Sequence, residues 1–150
     1  MQGLSRRSTL RGIALTFAGQ TFAPTWSIAA EKLPLAIQGY DPVAYFTLGR
    51  PTRGLPDIEY EWDEYRYRFA STGHRDLFKA DPVRYAPQFE NTCTMALIRG
   101  EIHEANPEYW LISDGGLYLF GARVGVQSFQ RDLSGNIIRA NQNRALIRQR

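Results

Sequence analysis

The side chains able to bind a soft metal or to pair a nucleophile with a base are few. The chain has one cysteine, Cys93, and two histidines, His74 and His103. Apart from Met1 its one methionine is Met95. A thiolate, imidazoles and a thioether are the ligand types of copper sites. Cys93 and Met95 are two positions apart, so on a strand they would face the same way. With His74 they would make a two- or three-coordinate site for copper(I) or another transition-metal ion. A single cysteine excludes an internal disulfide and any Cys-cluster zinc or iron–sulfur site within one chain. Each of these residues also has a plain structural reading. Cys93 would be a small buried apolar residue, Met95 core, and His74 a helix residue at the core's edge. His103, between Glu101 and Glu104, would lie on the surface.

Two other chemistries stand beside the metal. A thiol enzyme would use Cys93 with His74, since such partners meet in space rather than in sequence, and it needs an accessible thiol. No Gly-x-Ser-x-Gly elbow, phosphate-binding loop or dinucleotide glycine pattern occurs, and no catalytic residue is assigned. The remaining reading is a protein- or small-molecule-binding module without metal. Its groove would be lined by Tyr40, Asp41 and Tyr45 together with aromatic residues of a hairpin.

That hairpin is the clearest element. From Ile58 to Phe69 the pattern has period two: Ile58, Tyr60 and Trp62 alternate with Glu59 and Glu61, then Tyr65, Tyr67 and Phe69 alternate with Arg66 and Arg68. This predicts two strands turning at Asp63-Glu64, aromatic on one face, with acids opposite bases on the other. The aromatic stripe reads first as core. Upstream, Asp41-Pro42 predicts a capped helix start. Ser71 or Thr72 predicts another, running to about Ala80 with Leu77 and Phe78 as its apolar stripe. Asp81-Pro82 starts a short helical turn through Tyr85. Cys93–Ile98 is expected as a strand, and Tyr109–Ser113 with Leu117–Phe120 as a second hairpin around Asp114-Gly115-Gly116. Val126, Phe129 and Leu133 have helical spacing, and a polar, basic tail follows from about 135. The fold class is α+β, a small single domain of antiparallel hairpins packed against short helices.

Residues 1–30 read as an export signal. They hold no Asp or Glu, and their only charges are Arg6, Arg7 and Arg11, ahead of an uncharged, partly apolar stretch. Ser5-Arg6-Arg7-Ser8-Thr9-Leu10-Arg11 resembles the twin-arginine motif, with Thr9 departing from its usual bulky apolar residue. The expectation is a periplasmic or secreted protein. It would be handled by export machinery and keep no membrane span after cleavage. The charges change meaning accordingly. The chain has 18 Lys and Arg against 15 Asp and Glu, a net +3. The three signal arginines account for that surplus, so residues 31–150 are formally neutral. Bulk charge then gives no reason to expect nucleic acid as a partner.

An ordered series of motifs resembles the YHS-domain family in its exported bacterial branch. It runs through Gly39-Tyr40-Asp41-Pro42-Val43-Ala44-Tyr45-Phe46, Phe69 to Phe78, Lys79-Ala80-Asp81-Pro82, Tyr85-Ala86-Pro87, Cys93, Pro107, Trp110, Asp114-Gly115 and Leu117-Tyr118-Leu119. It ends with Gly135-Asn136-Ile137 and Ala140-Asn141. The resemblance covers roughly residues 35–144 and implies metal handling. The metal-type members carry cysteines where this chain has Ala44, Ala70 and His74, so that thiolate set is largely missing here.

Overall fold

The computed structural model describes residues 32–149, and the export-signal reading of residues 1–30 lies outside them. Two antiparallel hairpins organise the described chain. The first pairs β1 (Leu55–Trp62) with β2 (Tyr65–Phe69), and the second pairs β3 (Asn106–Ser113) with β4 (Gly116–Phe120). Around them lie α1 (Pro42–Thr47), α2 (Thr72–Ala80), α3 (Pro82–Tyr85), α4 (Thr94–Ile98), α5 (Arg123–Gln130) and α6 (Leu133–Ile147). This is the α+β class expected from the sequence. None of the described helices is long and apolar enough to cross a membrane.

The first hairpin has the expected register, with Tyr60 opposite Tyr67 and Trp62 opposite Tyr65. Its aromatic face is core. Tyr60, Trp62, Tyr67 and Phe69 surround Phe78 of α2 at ring-centroid distances of 4.7 to 6.3 Å. On the polar face Glu59 binds Arg66, Arg68 at 2.8 Å and Lys32 at 3.3 Å. Burial works against the Glu59 charge. Hydrogen bonds from Arg68 and Lys32 and the Arg66 charge outweigh it and hold the carboxyl below its ordinary 4.5. A depressed carboxylate contributes stability that is full above its unfolded value and lost as pH falls through the folded one. Glu59→Gln is therefore expected to cost about 1–2 kcal/mol at neutral pH and to flatten the acid side of the stability profile. Urea melts from pH 7 to pH 3 measure this, and an unchanged acid slope would contradict it.

Gly54 lets the chain enter β1 against the backbone of Arg68. A Cβ there would sit 2.5 Å from the Arg68 carbonyl carbon. The neighbour is backbone and cannot swing away, so Gly54→Ala should destabilise by about 2–3 kcal/mol. A denaturation midpoint within error of wild type would show that the strand entrance yields.

Two expectations about elements are corrected, and the tail from about 135, whose order the residue pattern leaves open, is helical. Cys93–Ile98 is not a strand: Thr94–Ile98 forms α4, with Cys93 at its N-cap. A short apolar run does not distinguish the two states by period, and Ala96 and Leu97 bury one face while the Thr94 hydroxyl donates to Leu119 O at 2.9 Å. Val126, Phe129 and Leu133 fall on two helices, separated where Asp132 caps α6 by accepting from Gly135 N at 3.1 Å. The polar tail is ordered as α6 because its polar side chains dock. Asn143 Nδ2 donates to Leu97 O and Ile98 O, both at 2.9 Å, and so closes the end of α4. Asn136 Nδ2 donates to Phe129 O at 2.9 Å, and Arg144 binds Glu90 and Gln88 O. Leu77 also departs from expectation. It is 44% exposed, and Phe78 alone anchors α2 in the core.

Candidate functional site

A cleft of about 360 Å³ around Cys93 is framed by α4, the first turn of α5 and the Gly121-Ala122 segment that leads into it. Its lining is mostly small and apolar: Ala96, Gly121, Ala122, Val124 and Gly125, with Met95 beside the thiol. Cys93 is 8% exposed. Its Sγ accepts a hydrogen bond from Gly121 N at 3.1 Å, and its own N–H donates to His103 O at 2.8 Å. The Gly121 N–H thus fixes the sulfur, and the bond to His103 fixes the backbone that carries it. His103, Glu104 and Arg99 complete the rim. The His103 ring is largely exposed, with Nε2 3.2 Å from Glu101 Oε2. Arg99, chiefly, and His103 hold the Glu101 carboxyl below its ordinary range.

Two glycines keep this cleft open, and neither has a left-handed backbone that would require glycine. A Cβ on Gly121 would come to 3.6 Å from Cys93 Sγ. One on Gly125, inside α5, would come to 3.4 Å from Met95 Cγ and 3.5 Å from Phe120. These are van der Waals contacts, the first filling space at the thiol and the second filling space beside Met95. A glycine inside a helix costs roughly 1 kcal/mol relative to alanine. Gly125 therefore gives up stability, and what it leaves is room beside Met95.

The proposed metal ligands divide between two places. Cys93 and Met95 share the cleft, although α4 and not a strand brings them there. His74 is committed elsewhere. Its Nδ1 lies 2.6 Å from Asp41 Oδ2 and its Nε2 3.1 Å from Thr47 Oγ1. Cys93 is not among its partners, so the Cys93–His74 dyad is not assembled in this geometry. The histidine that lines the Cys93 cleft is His103. Among the described residues no group of three or more His, Cys, Asp or Glu side chains is placed to hold a metal ion.

The proposed pocket residues Tyr40, Asp41 and Tyr45 are occupied by protein partners. Asp41 is fully buried. Its Oδ1 accepts from Val43 N at 2.8 Å and Ala44 N at 3.3 Å, and its Oδ2 accepts from Ala70 N at 2.8 Å and faces His74. Tyr45 is buried edge-on to Trp110, and its hydroxyl donates to Pro107 O at 2.9 Å. Burial pushes its ionisation well above the ordinary range of a phenol. The Tyr40 hydroxyl donates to Glu108 at 2.8 Å, and the Arg53 guanidinium lies 4.2 Å from its ring centre. The hydrogen bond to Glu108 and then burial raise the Tyr40 ionisation. A concave aromatic surface does exist at the far end of the first hairpin. There Trp62 and Tyr67 meet Ala86, Pro87 and Arg144 around a cleft of about 170 Å³.

Sequence reasoning passed over Gly121, Gly125 and Thr47. The signal for Gly125 was available, as a glycine within an amphipathic stretch. Nothing in the spacing points to Thr47 as a partner of His74, because the two lie on different helices, and its bond to Val43 O is the ordinary one of a threonine to the carbonyl four residues back in its own helix. Compared with family models, curated proteins and solved structures, the chain matches none of them.

Proposed function

We propose that residues 31–150 form an exported, YHS-type binding module that takes up a small, largely apolar molecule in the Cys93 cleft. The observation that carries this reading is the open cleft itself. Its walls are kept bare by two glycines that the backbone does not need, and its floor is a thiol. Burial of a ligand's apolar surface supplies affinity in such a site, and a few polar groups at the rim orient it. Here those groups are the Cys93 sulfur below and Arg99, His103 and Glu104 at the edge. The export reading and the family resemblance are supported by the residue patterns of the first thirty positions and of residues 35–144. The test is a fluorescence titration of the full chain with anilinonaphthalene sulfonate. Saturable binding of one equivalent is expected, and no saturable binding would contradict the reading.

A second reading rests on Cys93 and Met95 lining the same cleft as His103. Two sulfurs and an imidazole suit copper(I). Titration against a chromogenic copper(I) chelator tests it. Copper bound at one equivalent, lost in Cys93→Ser and retained in His74→Ala, would favour the metal. Copper left wholly with the chelator would remove it.

A further inference from the structure

We propose that Asp41, His74 and Thr47 form an acid–imidazole–hydroxyl relay, with Thr47 Oγ1 as a nucleophile toward short-chain esters. This site is independent of the Cys93 cleft. Its geometry is that of a nucleophile, a base and an orienting acid. Asp41, fully buried, lies 2.6 Å from His74 Nδ1. Three backbone N–H groups also donate to this carboxylate and fix its position. With the Nδ1 proton directed at Asp41, His74 Nε2 carries its lone pair toward Thr47 Oγ1 at 3.1 Å. Thr47 has one hydroxyl proton and two acceptors in reach, His74 Nε2 and Val43 O, the latter at 3.1 Å. The relay therefore accommodates either protonation state of the imidazole without moving a helix.

Thr47 lies at the surface, while the imidazole is mostly covered. Thr47 is exposed and the His74 side chain is 16% exposed. Leu48 and Leu77 are 48% and 44% exposed. Leu48 follows Thr47, and Leu77 lies three positions beyond His74, on its side of α2. These are apolar surfaces for a short acyl chain. The first turn of α2 leaves the Thr72 and Gly73 N–H groups without intrahelical acceptors. A Cβ on Gly73 would meet only Ser71 Oγ, at 3.8 Å, so a substrate oxygen can approach that turn.

In the reaction Thr47 Oγ1 adds to the ester carbonyl carbon and its proton passes to His74 Nε2. The carbonyl π pair moves onto oxygen. Collapse breaks the bond to the alcohol oxygen, which leaves with the proton from His74. Water then adds to the acyl-threonine, giving a proton to His74. Collapse releases the carboxylic acid, and Thr47 recovers its proton. Asp41 acts throughout as a positioning residue.

The experiment uses the full chain in a Cys93→Ser background, so that thiol acylation does not contribute, with p-nitrophenyl acetate as probe. Hydrolysis should fall by about 100-fold in Thr47→Ala, the size of a lost nucleophile–base pair, and should return in Thr47→Ser. Peptide mapping should place an acetyl group on Thr47. Because Thr47 is exposed, Thr47→Ala should keep the wild-type melting temperature. Hydrolysis by Thr47→Ala within about threefold of its parent, acetyl found only elsewhere, or failure of Thr47→Ser to restore the rate would each overturn the proposal.

Discussion

Asp41→Ala is expected to destabilise the protein by about 3–5 kcal/mol, as much as truncating a buried core aromatic. The carboxylate has no exposure, and four groups converge on it. Two are the N–H groups that start α1. One is the N–H of Ala70, just past the end of β2, and one is the imidazole of α2. Removing the side chain strands the three N–H groups and unties three elements at one point. Asp41→Asn should cost about half as much, since it preserves volume and the capping oxygen. Its amide nitrogen, however, replaces Oδ2 in front of the Ala70 N–H, and a donor then faces a donor. Guanidinium unfolding curves for both variants measure this. A loss below about 1 kcal/mol for Asp41→Ala would mean that water replaces the carboxylate in full, contrary to its burial.

Gly125→Val is expected to reduce anilinonaphthalene sulfonate affinity at least tenfold, about 1.4 kcal/mol, and to lower stability by about 1 kcal/mol through crowding against Met95 and Phe120. The added carbons occupy the space between Met95 and Phe120, where a Cβ alone already reaches 3.4 and 3.5 Å. Gly125→Ala separates the two consequences of the glycine. It should raise stability by about 0.5–1 kcal/mol and weaken binding by a smaller factor. A protein that gains stability while losing its ligand is the signature of a residue kept for the site. If Gly125→Ala and Gly125→Val both bind as wild type does, the cleft beside Met95 is not where the probe sits.

Much of the fold could be read from residue pattern, and the reasons are physical. The first hairpin alternates aromatic and charged residues over twelve positions, so one register satisfies both faces, and Glu59 meets Arg66 and Arg68 as the pattern requires. Asp41-Pro42, Ser71 and Asp81-Pro82 start helices because a side-chain oxygen meets free N–H groups there. Cys93–Ile98 resisted the same treatment. Six residues, mostly apolar, carry no period long enough to separate a buried strand from a buried helix. The last helix was hidden for the opposite reason. Asn136, Asn143 and Arg144 look like solvated polar residues, yet each spends its polar atoms on another element's carbonyls or carboxylate.

The candidate site was legible only in part. Cys93 and Met95 stood out by type, and the structure seats them in one cleft. Their expected partner, His74, sits against Asp41 and Thr47 instead, since nineteen residues along the chain say nothing about separation in space. Asp41 stood out as a cap, but a cap that also orients an imidazole thirty-three residues on is a tertiary fact. The glycines were the quietest signal, because a missing side chain shows its purpose only when the neighbours are in place.

The most direct test of the ligand-binding account is the rate at which monobromobimane alkylates Cys93 in the full chain, with and without anilinonaphthalene sulfonate at ten times its Kd. If the probe occupies the cleft above the thiol, it should slow alkylation by about tenfold, the free fraction that mass action leaves. The protection should disappear in Gly125→Val. Alkylation at the same rate with the probe bound would contradict the account, because it would place the bound molecule away from Cys93.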